Sequence, residues 1–467
     1  MVNEQTEAGA TEPVRIVSRR MVQPPSEEAV VDIHLKPWDL RLITIDYIQK
    51  GILLPKPLTG GVVDTLAFSF ARALAGRFYP LAGRLTVEHH ADETITVLLR
   101  CTGDGAEFIH AVAPDVTVED IVASVFTPSV VRDFYPLNHV LGADAAIKSL
   151  PVLSAQVTEL HDGIFIGLSM NHCVGDGTTF WEFFNTWSEI SRGGAKNDDL
   201  GDISFNSKPT PRPVLALQEW FVDDAIPVQI RLPYSKLQQV LRRFERPTVK
   251  ECFFTFCAAS LRKLKARANN EMAGTATATI SSLQALLAHV WLALSRARRL
   301  PPQHETSYSM FIGCRGRVKG IPQGYLGNAV VFGKTSSTIG EILNKGLGWT
   351  AWQLNRSVAS FDETTMKEWL DCWIREPDFE YMGNLSSGGA AMMTGSSPRF
   401  DVFGNDFGWG KPVAVRSGPG DKMDGKATVF EGPERGGSMS LEVCIAPDAL
   451  ARLVADKEFM ETVSMPM

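Results

Sequence analysis

No stretch of this sequence runs for about 18 apolar residues without charge, the length that a membrane-spanning helix requires. The opening Met-Val-Asn-Glu-Gln-Thr-Glu-Ala-Gly-Ala lacks a basic region followed by an apolar one, so no secretory leader is expected. Positive charge is not in excess either. With 46 Lys and Arg against 53 Asp and Glu, the net charge is -7 and the pI about 5.8. That balance excludes the basic stripe that a nucleic-acid backbone demands. Cysteine is sparse: seven residues, odd in number and scattered, of which only Cys252 and Cys257 lie close, in an alternating stretch that reads as strand. A disulfide framework is thereby excluded, the spacing of zinc ligands is missing, and no metal is expected. The final Ser-Met-Pro-Met matches no peroxisomal or retention signal. The expectation is a soluble cytoplasmic protein with no membrane or nucleic-acid partner.

What is present suits large cores. The chain has 467 residues, 44% of them hydrophobic and 21% charged, enough for two or three domains. After about twelve polar residues, a strand is expected from Val14 and an apolar run covers 42–47. Leu66, Phe70 and Leu74 fall four apart and predict a helix that Pro80 and Gly83 end. Strands are predicted at 95–99, 152–158 and 164–170. A polar stretch rich in Gly and Pro then spans 192–214. Beyond it the pattern predicts a strand at 250–257, helices at 257–268 and 281–299, strands at 308–312 and 329–332, and helices at 338–355 and 447–456. Strands interleaved with helices in two halves indicate an α/β protein: an N-terminal domain 1–191, a crossover 192–225 and a C-terminal domain 226–467.

The chemistry concentrates at 171–177, Asn-His-Cys-Val-Gly-Asp-Gly. A buried strand precedes it and a helix bearing Phe180, Phe184 and Trp187 follows, so His172 and Asp176 sit at a strand-to-helix turn. Gly175 and Gly177 permit a tight backbone, and Thr178 is placed to cap the helix. Histidine, with an ordinary pKa near 6.5, is a competent general base at neutral pH. A core histidine with one buried hydrogen bond fits the same residues. Cys173, beside it on an extended segment, points the other way and reads as packing.

A second motif, Asn405-Asp-Phe-Gly-Trp-Gly-Lys-Pro, stands more than two hundred residues downstream. In this order the pair resembles the signature of the plant BAHD acyltransferases. Leu35-Lys-Pro-Trp-Asp-Leu, Phe78-Tyr-Pro-Leu-Ala-Gly-Arg-Leu, Cys314-Arg-Gly-Arg, Tyr325-Leu-Gly-Asn and Arg416-Ser-Gly extend the resemblance along most of the chain. It is similar to a hydroxycinnamoyltransferase-like branch that includes uncharacterised acetyltransferases.

The resemblance implies a two-domain fold like that of chloramphenicol acetyltransferase, each domain a mixed sheet flanked by helices, with the active-site channel between them. It implies a monomer that moves an aromatic, benzoyl or acetyl group from acyl-coenzyme A, as co-substrate and not as a tightly bound cofactor, to a hydroxyl or amine of a small molecule. His172 is then the general base. Asp176, its partner in the catalytic motif, turns away to pair with an arginine, Arg315 before Arg317. Gly177 supports the turn. Asp406, Gly408, Trp409 and Gly410, with Phe407, form a structural loop. Thr394, Ser396 and Ser397 are candidate oxyanion donors, although Ser397 stands where many relatives carry tryptophan. Coenzyme A candidates are Ser281 and Ser282 at a helix start, with Arg416 and Lys422 as cations. A helix cap and solvated cations would look the same. No clear match to an acceptor-binding arginine occurs in Met382-Gly-Asn-Leu-Ser-Ser-Gly, and Arg375 is offset. The alternative is a lyase or hydrolase that uses the same cleft on an ester or amide without coenzyme A. His289 reads as a core residue, His89 and His90 as surface, and the tryptophans at 349, 352, 369 and 373 as packing.

Overall fold

The computed structural model describes residues 13–464 except 26–29, 59, 194–228, 276–277, 322–323 and 386–388. The expected crossover thus lies almost wholly outside the described residues. In the first half the strands are β1 (Arg15–Val22), β2 (Val31–His34), β3 (Ile48–Pro55), β4 (Arg84–His89), β5 (Ile95–Cys101), β6 (Ala106–Ala113), β7 (Leu153–Leu160) and β8 (Gly163–Met170). The second half contributes β9 (Lys250–Phe256), β10 (Glu305–Gly313), β11 (Val330–Thr338), β12 (Ala391–Gly395), β13 (Ala414–Ser417), β14 (Lys426–Glu431) and β15 (Met439–Ile445).

These strands form two mixed six-stranded sheets, in the orders β1-β6-β7-β8-β3-β13 and β11-β10-β12-β14-β15-β9, with a small antiparallel sheet β2-β5-β4 beside the first. The fold is the two-domain α/β arrangement expected. The apolar run at 42–47 is a buried turn that follows a short helix, Pro37–Leu40, and leads into β3, which begins at Ile48. The packing boundary differs from 226, because Ile230, Leu232, Leu237 and Val240 join the first core, as do Val402, Phe407 and Val415. Leu232 is drawn in by its bridge to Ile95, and Val402, Phe407 and Val415 because β13 hydrogen-bonds along β3 and carries its flanking loop onto the first sheet.

Each sheet is backed by the helices its pattern predicts. In the Gly177–Arg192 helix, Phe180, Phe183, Phe184 and Trp187 are fully buried at the spacing of one helix face. Trp187 packs 4.9 Å from Phe70 of the Val62–Ala73 helix and donates its indole N–H to Leu66 O and Ser69 Oγ, both at 3.1 Å. Behind the second sheet the Ser282–Arg298 helix is buried along most of its length. Strand alternation then sorts the second sheet. Tyr308, Met310, Ala427, Val429, Leu441 and Val443 enter the helix-covered core, and the residues between them face the first domain.

A buried ionic seam joins those facing surfaces. Lys422 bonds Glu442 of β15 and lies 3.1 Å from Glu251 of β9. Glu251 also takes Arg132 from the first half, at 3.0 Å, and Glu442 accepts the backbone N–H of Ser417 in β13 at 2.9 Å. Removing one partner of a buried ion pair strands the others in a poor solvent, at a cost of about 3–5 kcal/mol. Lys422→Met is therefore expected to lower the unfolding free energy by about that amount in chemical denaturation at pH 7. The loss should shrink in acid, since the folded Glu442 carboxyl titrates below its ordinary range and its contribution disappears as pH falls through that value.

Candidate active site

His172 follows β8 directly, and Asn171 locks the turn that aims it. The Asn171 N–H donates to Val152 O at 2.7 Å, its amide to Gly142 O at 3.0 Å, and its side-chain oxygen accepts from the Cys173 N–H at 2.9 Å. Two residues on, a Cβ on Gly175 would meet Thr179 at 2.8 Å and the Leu326 carbonyl at 2.9 Å, so only glycine fits that crossing. Cys173 is fully buried, as packing requires.

The imidazole is held from the other domain. Its Nδ1 lies 3.1 Å from Asn328 Oδ1, and Phe311 of β10 stacks on it with ring centres 6.5 Å apart. Asn328 donates its amide to His172 O at 2.7 Å and to Asp39 Oδ1 at 3.0 Å, and its backbone N–H to the same carboxylate oxygen at 2.8 Å. Both neighbours of the amide nitrogen are acceptors, so the amide cannot be reversed and Oδ1 must face the histidine. Nδ1 then carries the ring proton. Nε2, which makes no hydrogen bond among the described residues, keeps its lone pair. Burial pulls the His172 pKa down to about 4, against its own backbone, Asp176 and Asn328. Burial pushes Asp39 up to about 6, opposed by the Asn328 and Lys36 N–H groups, so at neutral pH it is chiefly the carboxylate that orients Asn328.

Asp39 and Asn328 belong to the segments Leu35-Lys-Pro-Trp-Asp-Leu and Tyr325-Leu-Gly-Asn, and nothing in their neighbourhoods marks them as a pair. They lie 289 residues apart, and Asn328 stands 156 residues from His172. The one local sign is Asp39 itself, an acid in an apolar context that has to find donors when buried.

Asp176 makes no hydrogen bond to His172. One oxygen accepts from the N–H groups of Thr178 at 2.9 Å and Thr179 at 3.4 Å, which makes Asp176, and not Thr178, the cap of the following helix. The other accepts from Arg315 at 2.5 Å and from the Ala329 N–H at 3.0 Å. Arg315 in turn donates to Tyr325 O at 3.0 Å and Gly327 O at 2.9 Å, pinning the loop that carries Asn328. Arg317 bonds the carbonyls of Val358 and Phe361 instead. A Cβ on Gly177 would press on the Phe400 ring at 3.0 Å.

The Asp406 loop stands apart from this network. Asp406 accepts from Gly408 N–H at 2.8 Å and Gly410 N–H at 3.1 Å, both glycines at positive φ. Trp409 donates to Pro55 O at 3.0 Å, and buried Phe407 packs 5.1 Å from Trp187. The loop clamps the 177–192 helix to β3.

Three candidates are corrected. Thr394 turns to the helix-covered side, where its hydroxyl meets Tyr308 at 2.5 Å, because it pairs with Met310 and Ala427 in register. Arg416 is buried, donates to Val415 O and Ile121 O at 2.8 Å each and covers the Phe253 ring. Lys422 is spent in the ionic seam. Neither cation is available to a phosphate. Ser281 caps the Ser282–Arg298 helix by accepting from Gln284 N at 3.2 Å, with Ser282 its first residue. Ser397 accepts from the Arg399 N–H at 3.2 Å, while the Ser396 hydroxyl makes no hydrogen bond among the described residues. His289 is a core residue against Phe459. Among the described residues no cluster has a metal-ligating arrangement, and no helix is long and apolar enough to cross a membrane.

Asp176→Ala leaves Arg315 without its counter-ion and two helix N–H groups without a cap. It is expected to cost about 3–5 kcal/mol of unfolding free energy. A denaturation midpoint equal to that of the unsubstituted protein would contradict the anchoring role.

The comparisons with known proteins agree with this architecture. A family model described as the Transferase family matches residues 12–460. An uncharacterized acetyltransferase of Arabidopsis thaliana is 36% identical over 456 residues, covering 96% of this chain and 99% of its own length. The BAHD acyltransferase DCR of the same plant is 30% identical over 467 residues, covering 96% of this chain and 92% of its own. Among solved structures, F. sporotrichioides TRI101 complexed with coenzyme A and T-2 aligns with a TM-score of 0.72 at 19% identity, covering 93% of this chain and 99% of that one, a likeness of fold. Full-length relatives at this identity and a family model spanning nearly every residue show that the chain belongs to the Transferase family, as a BAHD acyltransferase.

Proposed function

We propose that the protein transfers an acyl group from a coenzyme A thioester to a hydroxyl or amine of a small molecule, with His172 as general base. The observation that carries this reading is the histidine itself: Nδ1 is committed to Asn328, Nε2 makes no hydrogen bond among the described residues, and both domains enclose the ring. Nε2 takes the proton of the acceptor as its oxygen or nitrogen attacks the thioester carbonyl carbon. The tetrahedral intermediate collapses with cleavage of the carbon–sulfur bond, and the imidazolium returns the proton to the departing thiolate. The thioester is already activated, so no serine or cysteine nucleophile is called for. Ser396, with its unspent hydroxyl, is the favoured donor to the developing oxyanion, and Ser397 the second. For the phosphates, Ser281 and Ser282 at the helix N-terminus are the sites that remain after Arg416 and Lys422 are removed. The coenzyme A in the TRI101 structure supports the donor class.

The test is a donor-by-acceptor screen that reads release of the free coenzyme A thiol. His172→Ala is expected to lose transfer by about 10²–10⁴-fold or more with an unchanged melting temperature. Turnover of esters or amides with no coenzyme A present, and none with acyl-coenzyme A, would establish the lyase or hydrolase reading instead.

The low pKa of the base makes a second expectation. Protonation removes the Nε2 lone pair only below about pH 4, so kcat/KM should decline partially as Asp39 protonates near 6 and loosens Asn328, and fall fully on an acid limb near 4. In a pH–rate profile, complete loss of activity at the ordinary histidine value, with no second limb near 4, would show that the ring is not desolvated in the working enzyme. Asn328→Ala frees the ring to adopt either tautomer. It should lower kcat on the order of tenfold to hundredfold while KM changes little, a split that a merely structural lesion would not produce.

A further inference from the structure

A buried cation that the acyl-transfer scheme does not use is joined to both supports of His172. Arg41 closes the Pro37–Leu40 helix, donating its backbone N–H to Pro37 O at 3.0 Å. Two residues before it stands Asp39, whose carboxylate fixes Asn328 and, through it, Nδ1. The Arg41 side chain reaches into the second domain. Its guanidinium pairs with Glu380 and lies over two rings, 4.7 Å from the centre of Phe332 and 4.5 Å from that of Trp369 in the Glu363–Arg375 helix.

Phe332 of β11 stands opposite Phe311 of β10 in register, with ring centres 4.1 Å apart. Phe311 in turn faces the His172 ring at an interplanar angle of 13°. One guanidinium is therefore joined to the imidazole by two routes. The backbone route reaches Nδ1 by hydrogen bonds, and the aromatic route reaches the face of the ring by packing.

Stability alone does not account for an arginine here. The side chain is buried, its Nε makes no hydrogen bond among the described residues, and burial pulls its pKa down to about 10. An enclosed cation with an unspent donor costs free energy. Exchanging a buried ion pair for uncharged groups often leaves stability unchanged or raises it. Glu380 also grips the turn without its carboxylate, since its N–H donates to Arg41 O at 2.8 Å and its carbonyl accepts the Thr44 hydroxyl. What the guanidinium adds is direction. A planar cation binds a carboxylate and stacks on rings at once, which neither lysine nor methionine does.

We propose that Arg41 is a positioning residue for His172: by tying the Asp39 turn to the Phe332 and Phe311 rings, it holds the imidazole in one tautomer and one plane. The consequence for rate rests on the reading of His172 as general base. The consequence for the ring does not.

The test uses the full chain and the paired substitution Arg41→Met with Glu380→Gln, which removes both charges together and strands neither. Its melting temperature should be unchanged. Isotope-labelled histidine reports the tautomer through its ring-nitrogen chemical shifts, the His172 signals being identified by their loss in His172→Ala. At neutral pH the unsubstituted protein should carry the proton on Nδ1 alone, and the paired variant should divide it between Nδ1 and Nε2. In the paired variant kcat should fall about tenfold while KM changes little. In an Asn328→Ala background the same pair should cost less than about threefold, because the tautomer is already released. Arg41→Lys keeps an ion pair without the stacking and should show the mixture to a lesser degree. A folded paired variant whose proton stays wholly on Nδ1 would overturn the proposal, as would a proton on Nε2 in the unsubstituted protein. Should the paired variant not fold, an unmixed tautomer in Arg41→Lys overturns it equally. A divided tautomer with kcat unchanged would leave the positioning role standing and remove His172 as the base.

Discussion

The ion pair between Asp176 and Arg315 is the constraint on which the rest of the site depends. Asp176 ends the turn that carries His172 and caps the helix behind it, while Arg315 grips the loop that carries Asn328. One carboxylate thus sets the spacing between His172 and the group that orients it, although the two come from different domains. Such a pair adds little net stability when complete and costs heavily when broken. Its value lies in allowing one arrangement of the two loops and penalising the others.

Upon that frame the His172 ring is made neutral and directional by separate means. Enclosure by both domains withdraws water from the imidazole, which favours its uncharged form. Direction comes from the relay of Asp39 to Asn328 to Nδ1, in which each donor faces an acceptor and no reversal satisfies all members. A desolvated histidine without the relay would be neutral but divided between two tautomers. With the relay alone, in water, it would be partly protonated at neutral pH.

The interior cations divide on the same principle. Lys422 and Arg416 are buried and engaged, one by carboxylates and the other by carbonyls and an aromatic ring, so they hold the domains together. Lys426 and Lys50 lie outside that seam: Lys426 makes no hydrogen bond among the described residues, and Lys50 donates to Ser417 Oγ. Sequence position does not separate these roles, since Lys422 and Lys426 are only four residues apart. What separates them is the strand: Lys422 precedes β14 and meets β9 and β15, whereas Lys426 is the first residue of β14, on the face opposite the helices.

Local pattern was sufficient wherever a residue's role follows from its immediate neighbours. The apolar spacing of the 177–192 and 282–298 helices, the strand before His172 and the glycines that let the backbone turn at 175 and 177 are all written in consecutive residues, because periodicity and backbone freedom are short-range properties. Together with the two motifs, those features determined the α/β class, the family and the position of His172. The sequence could not reveal that Thr394 turns to the helix-covered side of its sheet, that Arg416 and Lys422 are held in the protein's own contacts, or that Asp39 and Asn328 set the histidine tautomer. Those outcomes were decided only when β13 crossed to the first sheet and the loops after β8 and β10 met. Hydrogen bonds and ion pairs depend on distance in space, and no local pattern encodes a partner 289 residues away.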